Sequence, residues 1–127
     1  MALKYKVVMY NMNIQIYFSK NSFDVQKVRR YLKERRVPFT EVELSRHKPG
    51  LRELKLFAQA AGGVKNLVDM NAKGERADYI KQLSIEDILL DELMAHPEVL
   101  RCPIVRNGQK VVIGFDEKVL AAWISNG

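Results

Sequence analysis

Ile104-Val105-Arg106-Asn107-Gly108-Gln109-Lys110-Val111-Val112-Ile113 decides how the chain closes. Two apolar, β-branched runs flank an Asn-Gly pair, the strongest short-range signal for a hairpin. The spacing predicts two antiparallel strands with Asn107-Gly108 as the turn. Asp116 then stands where a helix would be capped, ahead of Val119, Leu120, Trp123 and Ile124 at helical spacing. The C-terminal segment therefore reads strand, strand, helix.

The N-terminal half reads differently. Asn13-Ile14-Gln15-Ile16-Tyr17-Phe18 alternates as a strand. Asn21 or Ser22 can cap a helix to about Arg35, with Val25, Val28 and Leu32 on one face and Tyr31 beside them. Pro38 stops the helical region, because the residue before a proline avoids the α conformation. Phe39 to Leu44 alternates again. Strand, helix, strand with a short return predicts a parallel pair with a right-handed crossover. A second helix after Pro49 carries Leu51, Leu54, Ala58 and Ala61 inward and stops at Gly62-Gly63. Val64 to Gln82 reads as irregular. Ser84 with Asp87 fits a capping box for a helix to about Ala95, with Ile85, Ile88, Leu89 and Leu93 facing in. Residues 1–12 read as an extension or an extra edge strand, and 13–127 as a single domain.

The order is thus βαβα, a helical insertion, then ββα. This α/β arrangement, a mixed four-stranded sheet, is that of the thioredoxin fold. A chain of 127 residues with 47% apolar content can bury a core without covalent staples. One cysteine, Cys102, excludes an internal disulfide and any multi-cysteine metal site. His47 and His96 lack ligand spacing, so no metal is expected. The apolar runs are too short to span a membrane, and a cytoplasmic location is the expectation.

Charge is unevenly placed. Residues 20–55 carry eleven Lys/Arg against five Asp/Glu, whereas residues 56–127 carry eight against ten. Lys27, Arg29, Arg30, Lys33 and Arg36 form a basic face on the first helix. Such a face either meets an anion or is simply solvated. No interleaved aromatics accompany it, which argues against direct nucleic-acid binding.

Several segments, taken in order, resemble the Spx/arsenate-reductase (ArsC) family over residues 13–125. They are Tyr17-Phe18-Ser19-Lys20-Asn21-Ser22, Val37-Pro38-Phe39-Thr40-Glu41, Leu51-Arg52-Glu53-Leu54-Lys55, His96-Pro97 to Val105, and Gly114-Phe115-Asp116-Glu117. Gly114-Phe115 and Ala122-Trp123-Ile124 look nearer to the Spx-like and nitrogenase-associated branches than to true arsenate reductases. The resemblance implies a cis-proline at Pro103 and places the family's redox cysteine at Ser22. It places the reductases' arsenate-binding arginines at Asp69, Cys102 and Gly114. All four signature positions are changed. A serine hydroxyl cannot replace an activated thiolate as nucleophile toward arsenate or a disulfide.

Cys102, next to the implied cis-proline, would lie near Ser22, Lys20 and Arg101. It reads either as a relocated reactive thiol activated by a helix N-terminus and neighbouring cations, or as a small buried hydrophobe. Lys20-Asn21-Ser22 reads either as an anion cradle or as plain N-capping. The resulting expectation is a redox-inactive or single-thiol binding or regulatory module. It would use Ser22, Cys102, Lys20, Asn21, Arg101 and Pro103 against a protein partner or a small anionic thiol such as glutathione. RNA polymerase enters as a partner through the family resemblance alone. The alternative is a glutathione-coupled, thiol-dependent oxidoreductase using Cys102 or a cysteine at position 22.

Overall fold

The structure, a computed structural model, describes residues 12–126. The edge strand considered for residues 1–12 lies almost wholly outside that range; Met12 is in it and is buried. Strand β1 (Ile14–Phe18) leads into helix α1 (Phe23–Glu34) and strand β2 (Phe39–Glu43). Helix α2 (Leu51–Ala61), a 3-10 turn (Val64–Leu67), and helices α3 (Glu75–Gln82) and α4 (Glu86–Ala95) follow. A second 3-10 turn (Pro97–Val99), strands β3 (Ile104–Asn107) and β4 (Lys110–Ile113), and helix α5 (Glu117–Asn126) complete the order.

The sheet order is β2-β1-β3-β4, with β1 parallel to β2 and antiparallel to β3. This is the expected mixed four-stranded sheet. Alternation along β1 divides its side chains between two cores. Ile14 and Ile16 pack with Val28, Tyr31 and Leu32 of α1, Val105, and Leu120 and Trp123 of α5. Tyr17 turns the other way, onto Leu54 and Phe57 of α2 and the apolar residues of the insertion. Its ring meets Phe57 edge-on at 5.0 Å between centroids. The Ser22 and Asp116 caps form as expected: Ser22 Oγ accepts from Val25 N–H and Asp116 Oδ1 from Val119 N–H.

Five expectations need correction. The hairpin pairs Asn107 with Lys110, so its two-residue turn is Gly108-Gln109, one residue later than read. Gly108 has φ +64° and Gln109 does not have positive φ, the pattern of a II′ turn, which wants glycine first. Val64 to Gln82 is not irregular: it contains a 3-10 turn and α3, whose Ala77 and Ile80 are buried. Helix α4 starts at Glu86 with Ile85 as its N-cap and no side-chain cap, so the Ser84–Asp87 capping box does not form. Lys65 Nζ takes the carbonyls of Lys81 and Leu83, tying down the α3–α4 link. In the resulting orientation Leu89, Leu90 and Leu93 face the core while Ile85 and Ile88 face out, 60% and 41% exposed. Leu51 is likewise exposed, in the first turn of α2 ahead of the core contact that begins at Leu54.

These positions separate in a stability measurement. Leu54→Ala should cost about 2–5 kcal/mol in urea unfolding, as deletion of a fully buried leucine does. Ile85→Ser should not destabilise, and should gain up to about 1 kcal/mol by placing a capping hydroxyl at this uncapped helix start. Equal losses would show that the outward orientation of α4's first turn is wrong.

Candidate functional site

The C-terminal end of β1, the start of α1 and the segment before Pro103 meet at one cleft. The Cys102–Pro103 peptide bond is cis. Arg101 N–H donates to the Leu67 carbonyl and Asp69 N–H to the Val99 carbonyl, so the segment after the 3-10 turn lies beside the one before the proline. The cleft has a volume of about 460 Å³ and is lined by Ser22, Phe23, Asp69, Arg101, Cys102 and Gly114, with Asp24, Asn71 and Ile113 completing the wall. Ser22 and the three positions matched to the reductases' arginines, Asp69, Cys102 and Gly114, therefore share one wall.

Each of the expected site residues has a definite place. Ser22 is the N-cap of α1, its hydroxyl oxygen 3.3 Å from the Val25 amide. Arg101 reaches the cleft while Nη1 donates to the Asn66 carbonyl at 3.0 Å. Pro103 is buried, and its carbonyl accepts from Gly114 N–H at 2.7 Å. Lys20 and Asn21 do not line the cleft. The Lys20 carbonyl accepts from Ser22 N–H, and Asn21 Oδ1 accepts from Arg29.

The Cys102 thiol is partly buried, 3.9 Å from Ser19 Oγ, and donates to the Leu100 carbonyl at 3.5 Å. Burial raises its pKa above the ordinary thiol value; hydrogen bonding with Ser19 pulls it back, and the Asp69 carboxylate adds to the rise. This is opposite to the activation considered from the sequence. The charge that acts on the thiol is the Asp69 carboxylate, an anion. The cleft holds two carboxylates, Asp24 and Asp69, to one guanidinium. Asp24 is paired with Lys27, so Asp69 and Arg101 leave this wall with no surplus of positive charge for an oxyanion.

The basic face of α1 is only partly available. Arg29 pairs with Glu41, donates to Asn21 and lies over the Phe18 ring. Lys27 pairs with Asp24 at 3.9 Å. Arg30, Lys33 and Arg36 are exposed and make no ion pair among the described residues. Phe23, 83% exposed at the mouth of the cleft, and Ser19 beside the thiol were not singled out from the sequence. An aromatic directly after an N-cap carries no such signal on its own, since helix start and core contact look alike.

A raised thiol pKa has a defined consequence. The folded chain keeps the thiol proton to higher pH than the unfolded chain. Stability is therefore intact below the unfolded thiol's pKa of about 8.5 and falls as pH rises through it, until the folded thiol ionises as well. Urea midpoints taken across this range should fall less steeply for Cys102→Ser than for the parent. Cys102 should also alkylate more slowly in the folded chain than in urea. Faster alkylation in the folded chain would overturn the desolvated-thiol assignment.

No family model matches the chain. It is 25% identical over 114 residues to the global transcriptional regulator Spx 1 of Lactococcus lactis subsp. lactis, covering 87% of this chain and 88% of that protein. In fold it is similar to an ArsC family related protein from Bacteroides fragilis, with a TM-score of 0.73 at 17% identity over 88% of this chain and 99% of that one. It is also similar to an arsenate reductase from Vibrio cholerae, with a TM-score of 0.68 at 18% identity over 90% and 97% of the two chains. No helix among the described residues is long and apolar enough to cross a membrane. The sheet order and these likenesses together show a thioredoxin-like fold similar to that of Spx and ArsC-family proteins.

Proposed function

We propose that this chain acts as a binding or regulatory module of the Spx/ArsC type, without the redox chemistry carried by a thiol at the helix start. The observation that carries the reading is Ser22: the position holds a hydroxyl, and that hydroxyl already accepts the Val25 amide as the α1 cap. The remaining thiol, Cys102, is desolvated and protonated over the physiological range. With Asp24 paired to Lys27 and Asp69 set against Arg101, the cleft has no surplus positive charge to draw in arsenate or the carboxylates of glutathione.

The partner is a protein with an acidic face, and the exposed Arg30, Lys33 and Arg36 supply the complementary charge. The relative's description as a global transcriptional regulator makes RNA polymerase the first partner to test. Binding of the purified polymerase, measured by interferometry, should weaken about tenfold or more for Arg30→Glu with Lys33→Glu, and its salt dependence should flatten. Cys102→Ser should leave the affinity unchanged. A glutathione-coupled reductase assay should show no turnover above background. Turnover that Cys102→Ser abolishes would replace this reading with the oxidoreductase one.

The backbone around position 22 still has the features that activate a thiol: a twelve-residue helix begins there and its first amides point at the side chain. Ser22→Cys should therefore create a thiol that alkylates faster than Cys102 at neutral pH. Equal rates would show that the helix start no longer activates what stands on it.

A further inference from the structure

A second cleft, of about 290 Å³, lies between α2 and the β3–β4 turn and shares no residue with the first. Arg52, Lys55 and Arg106 line it, with Glu53 and the amides of Gln59 and Gln109. The carboxylate of Glu53 is fully engaged. One oxygen accepts from Gly50 N–H at 3.1 Å, and the other from Tyr17 Oη–H at 2.9 Å with Arg106 Nη1 at 3.6 Å. Arg106 is held in turn: Nε donates to the Gly108 carbonyl at 2.7 Å, and Nη1 lies 3.5 Å from Tyr17 Oη. Its Nη2 amino group makes no hydrogen bond among the described residues, and neither do the side chains of Arg52 and Lys55.

We infer that this cleft is a binding site for a phosphate dianion, free or carried as the monoester of a small molecule. The three cations face one carboxylate, and the surplus of two positive charges matches a dianion. Arg106 offers a guanidinium already fixed by strand, turn and phenol, so little rotamer freedom is lost when its free amino group meets an oxyanion. Arg52 and Lys55 stand on α2 two turns and one turn ahead of Gln59. Gln59 and Gln109 can donate side-chain amides to the remaining oxygens. The volume suits a phosphate group with a small body attached, not a large cofactor. The Ser22–Cys102 cleft has no such surplus, since Asp24 is paired with Lys27 and Asp69 stands against Arg101.

The test uses the full chain and inorganic phosphate, titrated against chloride at matched ionic strength while backbone amide resonances are followed. Saturable shifts confined to 52–59 and 106–109 are expected. Arg52→Gln with Lys55→Gln should weaken them about tenfold or more, as loss of charge-assisted contacts does. The melting temperature without phosphate should stay at the parent value, because both side chains are exposed. Glycerol phosphate binding more tightly than phosphate would identify the ligand as a phosphorylated small molecule, and the reverse order would identify free phosphate. Shifts that do not saturate, that appear equally at Arg30 and Lys33, or that survive the double substitution would overturn the site. Polymerase binding is measured separately, so failure here leaves the proposed function standing.

Discussion

Strand β1 has a paired neighbour on each edge and an apolar core on each face. Strand β3 shares that position, with β1 and β4 at its edges and Ile104 and Val105 in opposite cores. The backbone donors and acceptors of β1 are used by β2 and β3, and its buried side chains divide between the two cores. Ile14 and Ile16 require α1 and α5 on one side; Tyr17 requires α2 and the insertion on the other. Shifting β1 by one residue would exchange these sets and expose isoleucine where a phenol now meets a carboxylate. The parallel crossover, the antiparallel return and the placement of all five helices are consequences of burying this strand twice.

The two clefts follow from the same strand, one at each end of its neighbours. At the C-terminal end of β1 the chain turns into α1, and the segment ending in the cis Cys102–Pro103 bond packs against that turn. Backbone alone would make this an anion-receptive place, because a helix begins there. The side chains weaken that preference. Asp24 and Asp69 introduce negative charge, Ser22 closes the cap with its own oxygen, and the thiol is drawn into an apolar setting. At the other end, the Tyr17–Glu53–Arg106 contacts neutralise the one acid and leave the cations of α2 unopposed. The sheet is shared; the balance of charge at each end is set by a handful of side chains.

Charge counted along a helix overstates what a surface can offer. The first helix region contributes a dense basic run, yet Arg29 is held by Glu41 on β2 and Arg35 stacks on the Tyr31 ring at 3.5 Å. Both partners are distant in function from any anion: one stabilises the sheet edge, the other covers the core. What remains open to a partner is the outward set, Arg30, Lys33 and Arg36. The same caution applies to apolar residues, since Ile85 and Ile88 have core chemistry but stand in solvent.

Local pattern determined a good deal. Alternation identified the β1, β2 and hairpin strands, Ser22 and Asp116 were recognisable caps, and Gly62 ends α2 with φ +86° as a glycine at that place should. Those signals depend on a residue's own backbone and its neighbours within one turn, so they are present in the linear chain. The order of elements, together with motif spacing, pointed to the right architecture. The sequence could not place α3, whose eight residues carry only two buried side chains and too weak an amphipathic pattern to register. Nor could it set the hairpin register, because Asn-Gly and Gly-Gln both satisfy a two-residue turn and only the pairing of Val105 with Val112 across a buried face chooses between them. The direction of the Cys102 pKa shift and the occupation of Glu53 were decided by tertiary structure alone. Desolvation and charge neutralisation depend on atoms brought together from β1, α2, β3 and the insertion, and no local stretch of chain contains that information.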